Sequence, residues 1–219
     1  MALAIFDLDN TLLAGDSDHA FGQFLVNKGA VDAVSFKQAN DAFYQDYQQG
    51  TLDIAKYLQF ALKPLTEHPM ATLQQWHQEF MREIIEPMIL PKGKELLMQH
   101  RLKGDFLLII TATNDFITRP IAKALGVDSL IATQCEIQDD RYTGRVVGAP
   151  SFQHGKIERL EQWLLRHPHN LNGSYFYSDS INDLPLLRLV DNPVAVDPDE
   201  RLHAIASRYD WPILSLREQ

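Results

Sequence analysis

Ala4-Ile5-Phe6-Asp7-Leu8-Asp9-Asn10-Thr11-Leu12-Leu13 is the stretch that decides the fold. An apolar run from Leu3 to Phe6 reads as a strand buried on both faces, followed by two carboxylates spaced i, i+2 and a polar pair. In open parallel sheets, ligands bind just beyond the carboxyl ends of the strands. In an extended or loosely turning backbone, residues i and i+2 point to the same side, so Asp7 and Asp9 can approach one site. Two carboxylates in one site repel unless a cation or a shared proton lies between them. Mg²⁺ is the expected cation, because it takes oxygen ligands and combines one or two carboxylates with waters and phosphate oxygens. Taken alone, Asp7 to Thr11 also reads as an ordinary turn, since Asp, Asn and Thr all favour turns. The rest of the chain has to decide between these readings.

Outward from this stretch, the chain divides by pattern. Residues 17–86 read as a helical block of about four helices, with apolar positions at helical spacing such as Phe21, Phe24 and Leu25. Thr51 is a candidate cap for the third helix, and Pro64 and the His68-Pro69 step mark breaks. From residue 92 the pattern alternates. A helix over 92–103 precedes an apolar strand over 106–110, which runs into Thr111-Ala112-Thr113-Asn114-Asp115. A helix carrying Ile117, Ile121 and Leu125 then stops at Gly126. Further strands are expected at 130–133, 174–177 and 193–196, with a hairpin over 136–147 and a helix starting at Gly155-Lys156. Strand–helix alternation implies an α/β fold with a Rossmann-like parallel sheet covered by helices. The first strand belongs to that sheet. Residues 1–15 and 87–219 would then form the core domain and residues 16–86 an inserted helical cap over the strand ends.

Composition narrows the partners. The 219 residues carry a net charge of −9, which argues against nucleic acid and against anionic membrane surfaces. No apolar run approaches the roughly 20 residues of a membrane span, and the N-terminus lacks the basic region of a signal peptide. Cys135 stands alone, so no internal disulfide forms, and cytoplasmic residence is the expectation. A small-molecule phosphate monoester is the expected partner.

Three strand ends converge in this topology. The first brings Asp7 and Asp9, the second Thr111 with Thr113 and Asn114 after it, and the fourth Asp179 and Asp183. Lys156 opens the helix before the fourth strand. Carboxylates for a divalent cation, and a lysine and a hydroxyl for a phosphate, are the parts of a phosphoryl-transfer site. Neither a Ser-His-Asp nor a Cys-His arrangement is apparent, so a carboxylate is the candidate nucleophile. Asp7 is favoured because it directly terminates the strand, and Asp9 is then the general acid and base. Lys156 would offset repulsion between the Asp7 carboxylate and the phosphate dianion. His154 is a candidate neighbour of that lysine. The pair in His167-Pro168-His169 offers too few ligands for a metal and reads as a polar turn.

With these residues assembled, the chain resembles the haloacid dehalogenase superfamily of phosphatases. DxDxT stands as Asp7-Leu8-Asp9-Asn10-Thr11. The strand ending in Thr stands as Leu107-Leu108-Ile109-Ile110-Thr111, the helix-start lysine as Lys156, and the acid pair as Asp179-Ser180-Ile181-Asn182-Asp183. The resemblance spans nearly the whole chain. It implies Mg²⁺ held by the Asp7 and Asp179 side chains and the Asp9 carbonyl, with Asp183 supporting the metal site or Lys156. It places Thr111, Lys156 and Asn182 at the phosphate and implies an aspartyl-phosphate intermediate. The helical block between the first two motifs corresponds to the C1 type of cap, and with D-S-x-N-D it resembles the subgroup containing phosphoserine phosphatases. That subgroup carries a Glu where this chain has Asp16, and uses a cap arginine for the substrate carboxylate. Here no arginine lies between Asn10 and Met81. Residues 10–86 instead hold ten acids against five bases. An acidic mouth around Asp16 and Asp18, with Asn114 nearby, suits an amine-bearing ester without a carboxylate. Histidinol phosphate is such an ester, and histidinol-phosphate phosphatases are among the subgroup members that the chain resembles. Asp16 and Asp18 also read as helix caps. Phosphoserine, another small-molecule or lipid phosphate, and an idle phosphate-binding protein remain the alternatives.

Overall fold

The computed structural model describes residues 2–217. Six parallel strands form one sheet in the order β3 (Ser129–Thr133), β2 (Phe106–Asn114), β1 (Leu3–Phe6), β6 (Tyr175–Ser178), β7 (Asn192–Val196) and β8 (Ile213–Leu214). β1 is central: Ala4 pairs with Leu107 on one side and Tyr175 on the other, and every residue of the strand is buried. Its uninterrupted apolar run follows from having no solvent face. Helices α6 (Pro91–Leu102), α7 (Asp115–Leu125), α8 (His154–Leu164), α9 (Leu184–Leu187) and α10 (Glu200–Arg208) alternate with the strands. β4 (Cys135–Gln138) and β5 (Arg141–Val146) form a separate antiparallel hairpin. No described helix is long and apolar enough to cross a membrane.

The segment between β1 and β2 folds as α1 (Ser17–Asn27), α2 (Ala33–Gln49), α3 (Ile54–Glu67) and α4 (Met70–Phe80). It continues through a π-helical turn at Met81–Ile85 into the short α5 (Glu86–Met88). Local chemistry sets these limits. The side chains of Asp16, Asp32 and Asp53 accept backbone N–H bonds at the starts of α1, α2 and α3, and Gly50 ends α2 in the left-handed conformation. The α3 cap is thus Asp53, whose carboxylate competes better for N–H than the expected Thr51. Pro64 sits inside α3 rather than breaking it.

The segment leaves and returns through a stem. Leu13 and Ile89 form an antiparallel bridge, Ala14 N–H donates to the Met88 carbonyl at 2.7 Å, and Leu90 N–H donates to the Leu12 carbonyl at 3.0 Å. Its helices are unequally anchored. Phe21 of α1 packs edge-on against Phe80 and Phe116, 5.2 and 5.5 Å between ring centroids. Phe24, Leu58, Leu62, Leu73 and Phe80 join the same buried cluster as Phe6 and Ile109. The only fully buried residue of α2 is Asn40. Its amide donates to the His19 carbonyl at 2.9 Å. The approach is close enough that a Cβ on Gly22 would stand 2.5 Å from that amide.

Candidate active site

Asp7 and Asp9 leave β1 at its carboxyl end and take different partners. Asp7 is 3% exposed, and its Oδ1 accepts from the Lys156 ammonium at 2.7 Å. The same ammonium lies 2.7 and 2.8 Å from the two carboxylate oxygens of Asp183. Asp183 in turn accepts from the Ser178 hydroxyl at 2.7 Å. Asp9 turns toward α1: Oδ1 accepts from the Ser17 N–H at 2.6 Å, and Oδ2 from the Thr113 hydroxyl at 2.9 Å. The Asp9 carboxylate therefore faces the positive end of a helix as well as a hydroxyl. Thr111 lies on the chamber wall, where its Oγ accepts the Thr113 N–H at 3.2 Å. Asp179, at the end of β6, accepts from the Thr11 hydroxyl at 3.3 Å.

Lys156 is set by an unusual turn. Gln153, just before α8, holds φ 48° and ψ −118°, a costly conformation for a non-glycine residue. At Gly155 a Cβ would stand 2.0 Å from the Pro150 carbonyl oxygen, so the backbone admits no side chain there. This compression brings Lys156 inward at the start of α8, where it is 1% exposed.

Burial governs the protonation of these groups. It pushes the Asp7 carboxyl up to about 7, with Lys156 pulling the other way and Asp183 and Asp9 adding to the rise. Burial also works against the Lys156 ammonium, but Asp183 and Asp7 more than offset it and hold its pKa above the ordinary lysine value. Asp9 is pushed up to about 7 by burial and by Asp16, against the bonds from Ser17 and Thr113. Asp179 is held well above its usual range by burial, then by Asp7 and Asp183.

A chamber of about 40 Å³ opens onto Asp7, Asp9, Thr111 and Thr113. Asp16, Asp18, Asn40, Phe43, Tyr44, Tyr47, Tyr57 and Phe152 line the rest of it. That volume admits only a few waters. A second cavity of about 240 Å³ shares the walls Tyr44 and Tyr47 and reaches Asp179. Asp16 is the residue that caps α1: its Oδ1 accepts the N–H groups of Asp18 and His19 at 2.9 and 2.8 Å. Asp18 does not cap; the neighbouring Tyr57 hydroxyl works against the rise of its carboxyl pKa. Burial pushes both Asp16 and Asp18 up to about 7.

The structure gives three of the expected residues specific partners. Asn114 is absent from the chamber wall because its side chain caps α7, accepting the Ile117 N–H at 3.2 Å. Asn182 donates its amide to the Tyr47 carbonyl at 3.1 Å and accepts from Gln153 at 3.2 Å. Of the two supports expected for Asp183, the one to Lys156 is visible: both of its oxygens meet that ammonium. His154 is exposed, and His167 and His169 stack on Trp163, 4.0 and 5.5 Å between ring centroids. The bonds that fix Asp9 escaped sequence reasoning. Thr113 was visible only as a polar residue after a strand, and a backbone N–H has no signature.

The residues fit a magnesium ion. Among the described residues, no three acidic, His or Cys side chains converge tightly enough to cage a metal alone. Mg²⁺ does not need such a cage, since it retains waters and takes one or two carboxylates. Asp7 adds to the rise of the Asp179 pKa, and a dication between the two carboxylates would remove that repulsion.

A model of the haloacid dehalogenase-like hydrolases matches residues 4–188. The chain belongs to this family. A histidinol-phosphatase of Neisseria meningitidis is 48% identical over 219 residues, covering 98% of this chain and 99% of the relative. Phosphoserine phosphatase SerB1 of Mycobacterium tuberculosis is 33% identical, covering 99% of this chain and 71% of the relative. A crystal structure of a protein of unknown function from Bordetella pertussis Tohama I matches with a TM-score of 0.93 at 42% identity, covering 99% of both chains. A phospho-aspartyl intermediate analogue of phosphoserine phosphatase matches with a TM-score of 0.71 at 17% identity, covering 100% of this chain and 94% of the other, and so shares the fold. The protein is a haloacid dehalogenase-fold phosphatase, with the helical segment 17–88 inserted between its first two core strands.

Proposed function

We propose that the protein is a Mg²⁺-dependent phosphomonoesterase that works through an aspartyl-phosphate and acts on an amino-alcohol phosphate, histidinol phosphate. The observation that carries the mechanism is the separate bonding of the two motif-one carboxylates. Asp7 is paired with Lys156, which favours its ionised form and draws the phosphate to it. Asp9 is held by Ser17 and Thr113 with a pKa near neutrality, so it can give and take a proton at working pH. In the first step an Asp7 oxygen attacks phosphorus, the bond to the ester oxygen breaks, and Asp9 delivers its proton to the departing alkoxide. In the second step Asp9 takes a proton from water, the water oxygen attacks phosphorus, and the bond to Asp7 breaks to release phosphate. Thr111 and Lys156 bind the phosphate, and Asp183 and Ser178 hold the lysine. Asp7, Asp179 and the Asp9 carbonyl would hold the ion, which supplies neutralisation of the carboxylate and phosphate charges. Residues 1–15 and 87–219 serve as the catalytic core and residues 16–86 as its cap, working in the cytoplasm.

The substrate follows from the chamber walls, which carry four acids, one histidine and neither lysine nor arginine. A substrate carboxylate would find no cation there, whereas an ammonium or imidazolium group would find carboxylates. The 48% identical histidinol-phosphatase supports this reading. The deciding experiment is phosphate release from histidinol phosphate and from phosphoserine, with Mg²⁺ and with chelator, for wild type and Asp7→Asn. Wild type should prefer histidinol phosphate, lose activity with chelator and regain it with Mg²⁺, and Asp7→Asn should be inactive. Full turnover by Asp7→Asn, or an equal rate on phosphoserine, would overturn the reading.

A further inference from the structure

A surface helix ordinarily turns its apolar stripe to the core. α2 does so at Phe36, which packs against the core cluster, but not along the rest of its stripe. Asn40, Phe43, Tyr44 and Tyr47 are spaced i, i+3, i+4 and i+7, which makes them one stripe, and all four line the catalytic chamber. Tyr57, from α3, faces the same space as Asp18, 5.4 Å from Phe43 between ring centroids. The chamber beyond the catalytic acids is therefore a cluster of aromatic rings around a carboxylate. Such an arrangement recognises a delocalised cation, through the ring faces and through a charged N–H acceptor. The same wall already carries one imidazole: the His19 ring stacks on Tyr44 at 4.7 Å and 25°, with Nε2 2.8 Å from Asp41.

We infer that Phe43, Tyr44, Tyr47 and Tyr57, with Asp18, form a box that reads a cationic heteroaromatic ring at the far end of the substrate. This rests on the reading of the site as a phosphomonoesterase for an amine-bearing ester, and it assigns the ring, rather than the amine, to α2 and α3. Asp18 accepts the ring N–H, and the rings of α2 and Tyr57 flank the imidazolium. Asp16 has its Oδ1 committed to the start of α1 and contributes charge alone. The chamber has to widen to admit the ring, and the shared walls Tyr44 and Tyr47 are where it meets the outer cavity.

The test compares kcat/KM for histidinol phosphate with that for 2-aminoethyl phosphate, which keeps the amine and phosphate and lacks the ring. Wild type should favour the ring-bearing ester. Asp18→Asn should cut that preference roughly 10-fold or more, from the loss of a charge-assisted bond. Tyr44→Leu should cut it by roughly 2- to 30-fold, the range expected for a cation over a ring, while Tyr44→Phe keeps it. An unchanged ratio in Asp18→Asn and Tyr44→Leu would overturn the box while leaving the phosphatase assignment intact. A wild type that prefers phosphoserine to either amine would instead defeat the parent reading. Should Tyr44→Leu fail to fold, free imidazole decides with wild type alone: competitive inhibition supports the box, and its absence overturns it.

Discussion

Replacing Lys156 with Met removes the ammonium that Asp7 and Asp183 share while keeping most of the side-chain volume. Its nitrogen stands 2.7 Å from Asp7 and 2.7 Å from Asp183, and the side chains are 2–4% exposed. Removing one partner from such a buried group costs about 3–5 kcal/mol, because the remaining charge has no water to turn to. For a chain of this size that lowers the melting temperature by roughly 6–20 °C. The loss depends on pH in a direction fixed by Asp7. Its folded pKa, about 7, lies above the unfolded value of 3.8. Such a group contributes stability that is fully present below the unfolded pKa and is lost as pH rises through the folded one. Lys156 lowers that pKa, so the Met variant raises it further, and the stability gap to wild type widens between pH 5 and pH 8. Thermal melts followed by circular dichroism at pH 5, 6, 7 and 8, with phosphate release alongside, measure this. A melting temperature equal to wild type at pH 8, or a gap independent of pH, would refute the account of Lys156 as the buried counter-charge.

Three further outcomes are expected. Thr113→Val removes the hydroxyl bonded to Asp9 at 2.9 Å, a bond that lowers the Asp9 pKa. The kcat should fall roughly 10- to 100-fold, the scale of a charge-assisted hydrogen bond, and the Asp9 limb of the pH–rate profile should move to higher pH. Asn114→Ala should cost about 1 kcal/mol in urea unfolding through loss of the α7 cap, while KM stays at its wild-type value; a large rise in KM would return Asn114 to the substrate. Arg201→Ala deletes the guanidinium that donates to the Gln49 and Gln48 carbonyls at 3.0 Å each. Hydrogen exchange should speed up along α2 and remain slow in β1 and β2; uniform acceleration would show general destabilisation instead.

The sheet was readable because β1, β6 and β7 are apolar runs at strand length with polar residues at their carboxyl ends. β2 shows where that signal fails. Its apolar run stops at Ile110, yet the strand continues through Thr111, Thr113 and Asn114, with a register shift against β3 between Ile110 and Asn114. Polar residues looked like a loop because their environment, a buried polar site, is invisible in the sequence. β8 is two residues long and α10 has a polar exposed face, so neither carried a pattern strong enough to read. At the site, residue types identified Asp7, Lys156, Asp179 and Asp183 as neighbours. They could not tell whether Asp16 or Asp18 caps α1, since both are acids at the helix start and only backbone geometry chooses. The aromatic residues of α2 looked like packing for the same reason: period alone does not say whether a stripe faces a core or a chamber.

The unequal anchoring of the inserted helices has a consequence for how the enzyme can change. α1 and α4 are welded to the sheet domain by Phe21, Phe24 and Phe80. α2 buries no apolar side chain fully: Phe36 and Phe43 pack on Phe60, and polar bonds from Asn40, Asn182 and Arg201 hold its middle and its carboxyl end. Water can replace the exposed Arg201 bonds at small cost, while no comparable substitute exists for the buried rings of α1 and α4. The helix that lines the far end of the chamber is thus less deeply rooted in the core than α1 or α4. Its inward residues can be exchanged as a unit, leaving the nucleophile and its lysine untouched, so that one catalytic frame can be refitted for a different alcohol.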